Sequence, residues 1–290
     1  MLAWLIYFSD SALYNRRYIE FYQEEGEKLG ITVKLILVEE LSFGVRDNER
    51  FLKVNGEEPK YPDFAICRAI YPLLSSHLEY MGIRVFNNAL LSEICNDKAK
   101  TYQYLAGTGI RMVDSDFCKN RLLKDTMNRM MGQTVIKAVD GHGGSQVFLM
   151  DQDSIGDIAV RDSILNGIGG SDAVLQPLTG SRHQDLRVYV IGQEIVAAVL
   201  RTAREGFKSN FSLGGEVCLY ELSEEEERIV RIITSQFDIG LVGIDFIIGD
   251  EGELIFNEIE DVVGSRMLYQ CSGINIVEKY LTYIKSLIKA

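Results

Sequence analysis

The sequence predicts an α/β protein that turns to α+β in its C-terminal part. Two patterns predict this. Over the first 88 residues, short apolar runs alternate with amphipathic stretches, as in parallel βαβ units. From Thr134 onward, apolar runs follow one another across glycine-bearing turns, the pattern of paired strands. The 290 residues, 47% of them hydrophobic and 25% charged, can bury a large core. Three units are expected, 1–88, 89–178 and 179–290.

In the first unit, Leu2 to Phe8 reads as a buried strand, Asn15 to Leu29 as an amphipathic helix stopped by Gly30, and Ile31 to Val38 as a second strand. Phe64 to Ile70 and Ile83 to Phe86 read as further strands flanking a helix over Leu73 to Met81. Residues 44 to 63 read as a long loop or small ribbon. The first turn lacks the G-x-G-x-x-G glycines of a dinucleotide site. Trp4, in the first strand, is expected in the core.

In the second unit, Asn96 or Asp97 can cap a helix running to about Ala106, with Lys98 in its first turn. A cation there opposes the helix dipole, so Lys98 is either solvated or helps the helix N-terminus hold phosphate. Thr134 to Val139 and Gln146 to Met150 are strands joined by Asp140-Gly141-His142-Gly143-Gly144-Ser145. Three glycines in six residues let backbone N–H groups approach an anion, but the loop has no G-K-[ST] ending, so it is not a Walker A loop. Lys137 is the one charge in the first of these strands.

In the third unit, Asp185 to Ile191 and Glu194 to Leu200 are strands with Asp185, Arg187 and Tyr189 on one face. Arg201 and Arg204 follow, then a glycine-bearing loop carrying Lys208 and Asn210. Glu224 to Phe237 is a helix capped by Ser223, with an acidic first turn as its dipole prefers. Val242 to Glu260 is a hairpin. With its turn centred on Glu251-Gly252, Asp245 falls opposite Glu258, and Glu260 shares the face of Glu258. Three carboxylates on one face of an apolar sheet repel, and a hard divalent cation would reverse the sign. An exposed, solvated acidic hairpin is the alternative. Ile274 to Ile288 closes the chain as an amphipathic helix.

Composition excludes several functions. A net charge of −12 and a pI near 4.9 disfavour nucleic acid and an anionic membrane surface. The five cysteines are scattered and odd in number, as for free thiols in a reducing cytoplasm, and the three histidines lack zinc-ligand spacing. His142 and His183 sit in polar loops and read as solvated. The start lacks the basic region of a secretory signal, and no stretch reaches the ~18 apolar residues of a membrane span. A cytoplasmic location is expected. With no nucleophile elbow or Cys–His pair, the residues make no case for a covalent hydrolase.

Lysines, glycine-rich backbone, arginines and clustered carboxylates are the parts needed to hold a nucleoside triphosphate with Mg²⁺. Six segments in order, NDKAKTYQYLAGTGI, VIKAVDGHGGSQVFL, LQPL, DLRVYVIGQEIVAAVLR, FKSNFSLGG and VGIDFII…LIFNEIE, resemble the ATP-grasp superfamily, most closely its RimK-like amino-acid ligases. The resemblance spans about residues 64 to 290. It implies an ATP-grasp fold behind an N-terminal open parallel-sheet domain. It makes Lys98 and Lys137 phosphate-binding lysines, and Gly141, Gly143, Gly144 and Ser145 a mobile loop over the phosphates. Gln176 and the Leu178 backbone would read adenine, and Asp185 would meet the ribose. Arg187 and Arg201 would lie near the transferred phosphoryl group, with Asn210 in the family's SN…GG loop. Asp245 and Glu258 would be magnesium ligands, joined by Glu260.

Two departures stand out. The family's Glu-x-Asn is here Glu258-Ile259-Glu260, which keeps an oxygen donor but adds charge. Its Ser-Pro-Gly is replaced by DVVGSRML, whose Arg266 is a candidate for holding a substrate carboxylate. Pro177 also stands in the hinge where an acidic residue is common. The implied reaction is ATP-dependent, with Mg²⁺ (or Mn²⁺). It phosphorylates a carboxylate, and an amine then attacks the acyl phosphate to give an amide, ADP and phosphate. The expected partners are a small carboxylate and an amine, a peptide or protein acceptor being the alternative, with self-association left open. An ATP-grasp kinase and a non-catalytic nucleotide-binding protein are the competing readings.

Overall fold

The computed structural model describes residues 1–130, 132–144, 146–151, 154, 156–202 and 216–289. Its first layer is a parallel sheet in the order β2-β1-β5-β6, made of β1 (Leu2–Tyr7), β2 (Thr32–Leu37), β5 (Phe64–Cys67) and β6 (Arg84–Phe86). Helix α2 (Arg16–Lys28) crosses between β1 and β2. It buries Ile19, Tyr22 and Gly26, three positions at helical spacing. Gly26 is required by close approach, because a Cβ there would lie 2.6 Å from Val33 Cγ2. A short helix α1 (Ser9–Tyr14), not foreseen from the sequence, precedes it. The 44–63 region does form a ribbon, β3 (Leu41–Arg46) with β4 (Glu49–Val54). The ribbon is pinned by buried Leu52 and by a 3.0 Å contact of His77 Nε2, on α3 (Pro72–Tyr80), with the Phe51 carbonyl. Trp4 is buried in this layer's core as expected.

Two helices follow, α4 (Ala89–Cys95) and α5 (Lys98–Leu105). Each is started by a side-chain cap: Asn88 accepts from Leu91 N at 2.8 Å, and Asp97 from Lys100 N at 3.0 Å. Only the second was anticipated. Their apolar residues Leu91, Ile94, Tyr102 and Leu105 pack against the C-terminal sheet.

That sheet is antiparallel, in the order β13-β12-β11-β14-β15. Its strands are β11 (Gln184–Ile191), β12 (Glu194–Thr202), β13 (Glu216–Tyr220), β14 (Leu241–Ile248) and β15 (Leu254–Glu260). Helix α8 (Glu224–Thr234) begins with a capping box between Ser223 and Glu226 and covers one face. Beyond β15, α9 (Arg266–Cys271) and α10 (Ile276–Lys289) return to the first layer, where Tyr280 and Ile284 share a core with Tyr22 and Ile31. A separate antiparallel sheet, β7-β10-β8-β9, comprises β7 (Asp116–Cys118), β8 (Thr134–Ala138), β9 (Val147–Met150) and β10 (Ala173–Pro177). Its own core is shared with α6 (Asn120–Met127) and α7 (Ile158–Ile168). No helix among the described residues is long and apolar enough to cross a membrane.

Candidate active site

The two antiparallel sheets flank a cleft that opens to solvent. Val113, Val135, Val147 and Ile247 give it apolar walls. Gln176, Pro177 and Leu178 line it where β10 ends, and Lys98, Lys137, Gly141, Gly143 and Gly144 also line it. Gln176 is held by a 2.8 Å bond from its Nε2 to Ser115 Oγ. His142 and His183 are exposed, although His183 lines the cleft.

The hairpin β14–β15 supplies the acidic wall. Asp245 does pair with Glu258, but not through the assumed turn. Nearer the turn the pairs are Ile248 with Leu254 and Phe246 with Phe256, one residue tighter than expected. A bulge then adds Asn257 to β15 and restores the register at Asp245. The bulge also lets Asn257 and Glu258, successive in sequence, both line the cleft. Strict alternation would have placed Asn257 on the opposite face, so the sequence reading missed it.

The lysines converge on these two residues from the opposite side. Lys137 Nζ donates to Asn257 Oδ1 at 2.8 Å. Lys98 Nζ donates to the Gly141 carbonyl and lies 3.4 Å from the Glu258 carboxylate. Burial lowers the Lys137 pKa to about 8, with Glu258 opposing and Lys98 adding to the fall.

Beside them runs a ladder of ion pairs set by strand register. Arg187 on β11 faces Asp245 on β14, and Arg201 on β12 faces Asp185 on β11. Arg187 donates to both Asp245 oxygens at 2.7 and 2.6 Å and reaches Glu260 at 2.7 Å. Arg201 donates to Asp185 and, at 2.8 Å, to Asp245. Burial raises the Asp245 pKa, but the two guanidiniums outweigh it and leave it at about 2. Arg187, despite its own desolvation, is held well above the usual range by Asp245 and Glu260. Glu260 is shifted up by burial and by Asp245 and Glu258, against Arg187.

The repulsion among these carboxylates is therefore met in part by guanidiniums. The donor set still fits a hard divalent ion. Asp245, Glu258 and Glu260 each offer an oxygen, and these lie within 4.8 Å of one another. Glu258 and Glu260 remain partly exposed. Asp245 Oδ2 accepts from both guanidiniums, whereas among the described residues Oδ1 accepts only from Arg187, which leaves it the freer oxygen to join them.

Of the residues singled out from sequence, the structure gathers Lys98, Lys137, Gly141, Gly143, Gly144, Gln176, Leu178, Asp185 and Glu258 around the cleft. Arg187, Arg201, Asp245 and Glu260 form the adjoining ladder. Arg266 is exposed at the start of α9, where its guanidinium stacks 4.3 Å from the Tyr14 ring centroid and donates to its hydroxyl. Ser145 and Asn210 lie outside the described residues.

Residues 95–284 match the RimK-like ATP-grasp domain. A probable alpha-L-glutamate ligase of Legionella pneumophila is 31% identical over 215 residues, covering 72% of this chain and 69% of that protein. Human beta-citrylglutamate synthase B is 26% identical over 276 residues, covering 88% of this chain and 69% of that protein. Among solved structures, the ATP-grasp ligase PsnB, in complex with a phosphomimetic variant of its minimal precursor, Mg and ADP, superposes with a TM-score of 0.69. It is 15% identical, over 98% of this chain and 97% of that one. The two antiparallel sheets closing on a lysine-lined cleft, the parallel sheet before them and the match over residues 95–284 agree: the chain belongs to the RimK-like ATP-grasp family of carbon–nitrogen ligases.

Proposed function

We propose that the cleft binds ATP with Mg²⁺ and that the chain joins a carboxylate to an amine through an acyl phosphate. The observation that carries this is the convergence of Lys98 and Lys137 on Glu258 and Asn257 across the cleft. Two cations facing a carboxylate donor set is the arrangement that phosphoryl transfer needs. The apolar walls would enclose the base, and Gln176 and the Leu178 backbone would meet its polar edge. Lys98 and Lys137 would hold the phosphates beneath Gly141, Gly143 and Gly144. A phosphate beside Lys137 would hold its proton on against the fall that burial causes, so that both lysines oppose the developing negative charge.

Glu258 and Glu260, with Asp245, would hold the divalent ion, which would neutralise phosphate charge when bound. Arg187 and Arg201 stand at the edge of this acidic set, where a substrate carboxylate would accept the phosphoryl group. Their fixed charge would steady that oxygen until an amine attacks the acyl carbon and phosphate leaves. The rate gain would come from positioning and preset charge, with no covalent enzyme intermediate.

The named activities of the relatives make an amino acid, free or within a peptide, the substrate class to test first. L-Glutamate heads the panel. The test is ADP and phosphate release with MgATP against amino acids, dipeptides and small dicarboxylates, with mass spectrometry of products. Amine-dependent ADP release with a condensed product is expected. A phosphorylated product formed without an amine would replace the ligase by a kinase.

A further inference from the structure

Arg68 lies just past the end of β5, in the first layer, and reaches across to the segment that follows β15. It donates from Nε to Tyr7 Oη at 3.2 Å and from NH2 to the Val263 carbonyl at 3.0 Å. Its guanidinium also stands 5.3 Å from the Tyr18 ring centroid. No carboxylate lies within ion-pair distance of it among the described residues. Asp261, in the same segment, accepts instead from Asn87 at 2.6 Å and Asn96 at 3.0 Å. A partly buried cation is commonly paired, and a guanidinium has five N–H donors, of which two are used among the described residues. The Tyr18 hydroxyl beside it, and that of Tyr22, whose ring meets Tyr18 with centroids 5.1 Å apart, are buried with no hydrogen-bond partner among the described residues. Arg68 remains partly exposed, so a ligand can reach it.

Its position follows the reaction axis. Asp185, Arg187 and Tyr189 succeed one another on one face of β11. Asp185 lines the nucleotide cleft, and Tyr189 at the other end donates to the Gly264 carbonyl at 2.9 Å. The segment that Arg68 holds thus lies beyond Arg187, away from the cleft.

We propose that Arg68 is the subsite for a free carboxylate of a small acidic substrate, one that is not being activated. This rests on the ligase reading above. The exposed Arg266, stacked on Tyr14, would then serve the rim, and the carboxylate-holding role suggested for it by sequence would fall to Arg68.

The test is calorimetric binding of L-glutamate, and of glutamine amide, in which both carboxylates are replaced by amides. Each is titrated into the full chain with a non-hydrolysable Mg-nucleotide present. Wild type should bind L-glutamate and not the amide. Arg68→Gln should weaken L-glutamate roughly 10- to 100-fold, the worth of a charge-assisted hydrogen bond, with nucleotide affinity unchanged. If Arg68→Gln does not fold, Arg68→Lys carries the test, since it keeps the charge and loses the fork. It should weaken L-glutamate with nucleotide affinity unchanged. Wild-type affinity for L-glutamate in the variant that folds would overturn the proposal, as would failure of nucleotide-loaded wild type to bind L-glutamate. Failure of wild type to bind the nucleotide would instead defeat the ligase reading.

Discussion

Lys137 and Arg187 are neighbouring cations treated in opposite ways. Lys137 has a neutral amide oxygen as its close partner, and burial brings its pKa down to about 8. Arg187 lies between Asp245 and Glu260 and is held charged at any ordinary pH. Both are buried, and the difference is one of head group and of partner: a guanidinium keeps its proton in proteins, whereas a buried ammonium gives its up more easily unless a carboxylate faces it. A cation opposite carboxylates is part of the permanent framework. A cation opposite an amide waits for an anion to complete it. The cleft thus combines a fixed charge at the ladder with a conditional one at the phosphate end.

The sharpest way to break this contrast is Asp245→Asn. It strips the shared carboxylate from Arg187 and Arg201 and should reduce ADP release to background. Removing one partner of a buried ion pair should also cost about 3–5 kcal/mol in urea unfolding. Asp245 further ties stability to acid. Its folded pKa of about 2 lies below the ordinary 3.8, so its contribution is complete above about pH 4 and is lost as pH falls toward 2. The size is roughly 2 kcal/mol. Wild type and Asp245→Asn should therefore converge in stability in that window, and parallel curves would contradict the ladder's electrostatics.

Lys137→Met should act in the other direction on stability while ending turnover. The folded pKa of about 8 lies below the ordinary 10.5. Lys137 therefore costs stability fully below pH 8, and the cost fades as pH rises to 10.5. The variant should gain up to roughly 2–3 kcal/mol at pH 7, less the lost bond to Asn257, and no gain should remain above pH 10.5. Wild type should also take up a proton on binding Mg-nucleotide near pH 8.5, seen as buffer-dependent heats that Lys137→Met abolishes.

Gly243→Ala probes what holds the segment after β15 against the ladder. Its Cβ would fall 2.5 Å from Val263 Cγ2 and 3.3 Å from Arg187 Cδ. A loss of about 1–3 kcal/mol is expected by thermal unfolding. The smallest effect belongs to Arg16→Ala. Its pair with Glu20 is exposed at both ends, so a change within about 0.5 kcal/mol is expected and a larger one would contradict the surface assignment.

The first layer and most strands were legible because hydrophobic period and capping residues are local signals. Helices α1, α4, α6, α7 and α9 were missed; α1, α4 and α9 have only six or seven residues, too few for a period to show, whereas α6 and α7, with eight and eleven, were passed over between the strands. Asp245 opposite Glu258 was reached through a turn placed one residue off, and a bulge absorbed the error.

The sequence by itself determined the parallel N-terminal layer, the paired strands after Thr134 and the residue types gathered at the cleft, because side-chain alternation and turn chemistry are written in neighbouring positions. Only the tertiary structure decided that Asn257 meets Lys137, that Arg187 and Arg201 hold Asp245, and that Arg68 holds the Val263 carbonyl. Those facts depend on strand register, on a bulge, and on residues 120, 58 and 195 positions apart in the chain for Lys137–Asn257, Arg187–Asp245 and Arg68–Val263. No local pattern encodes such distances, because contact across them is set by how whole sheets pack.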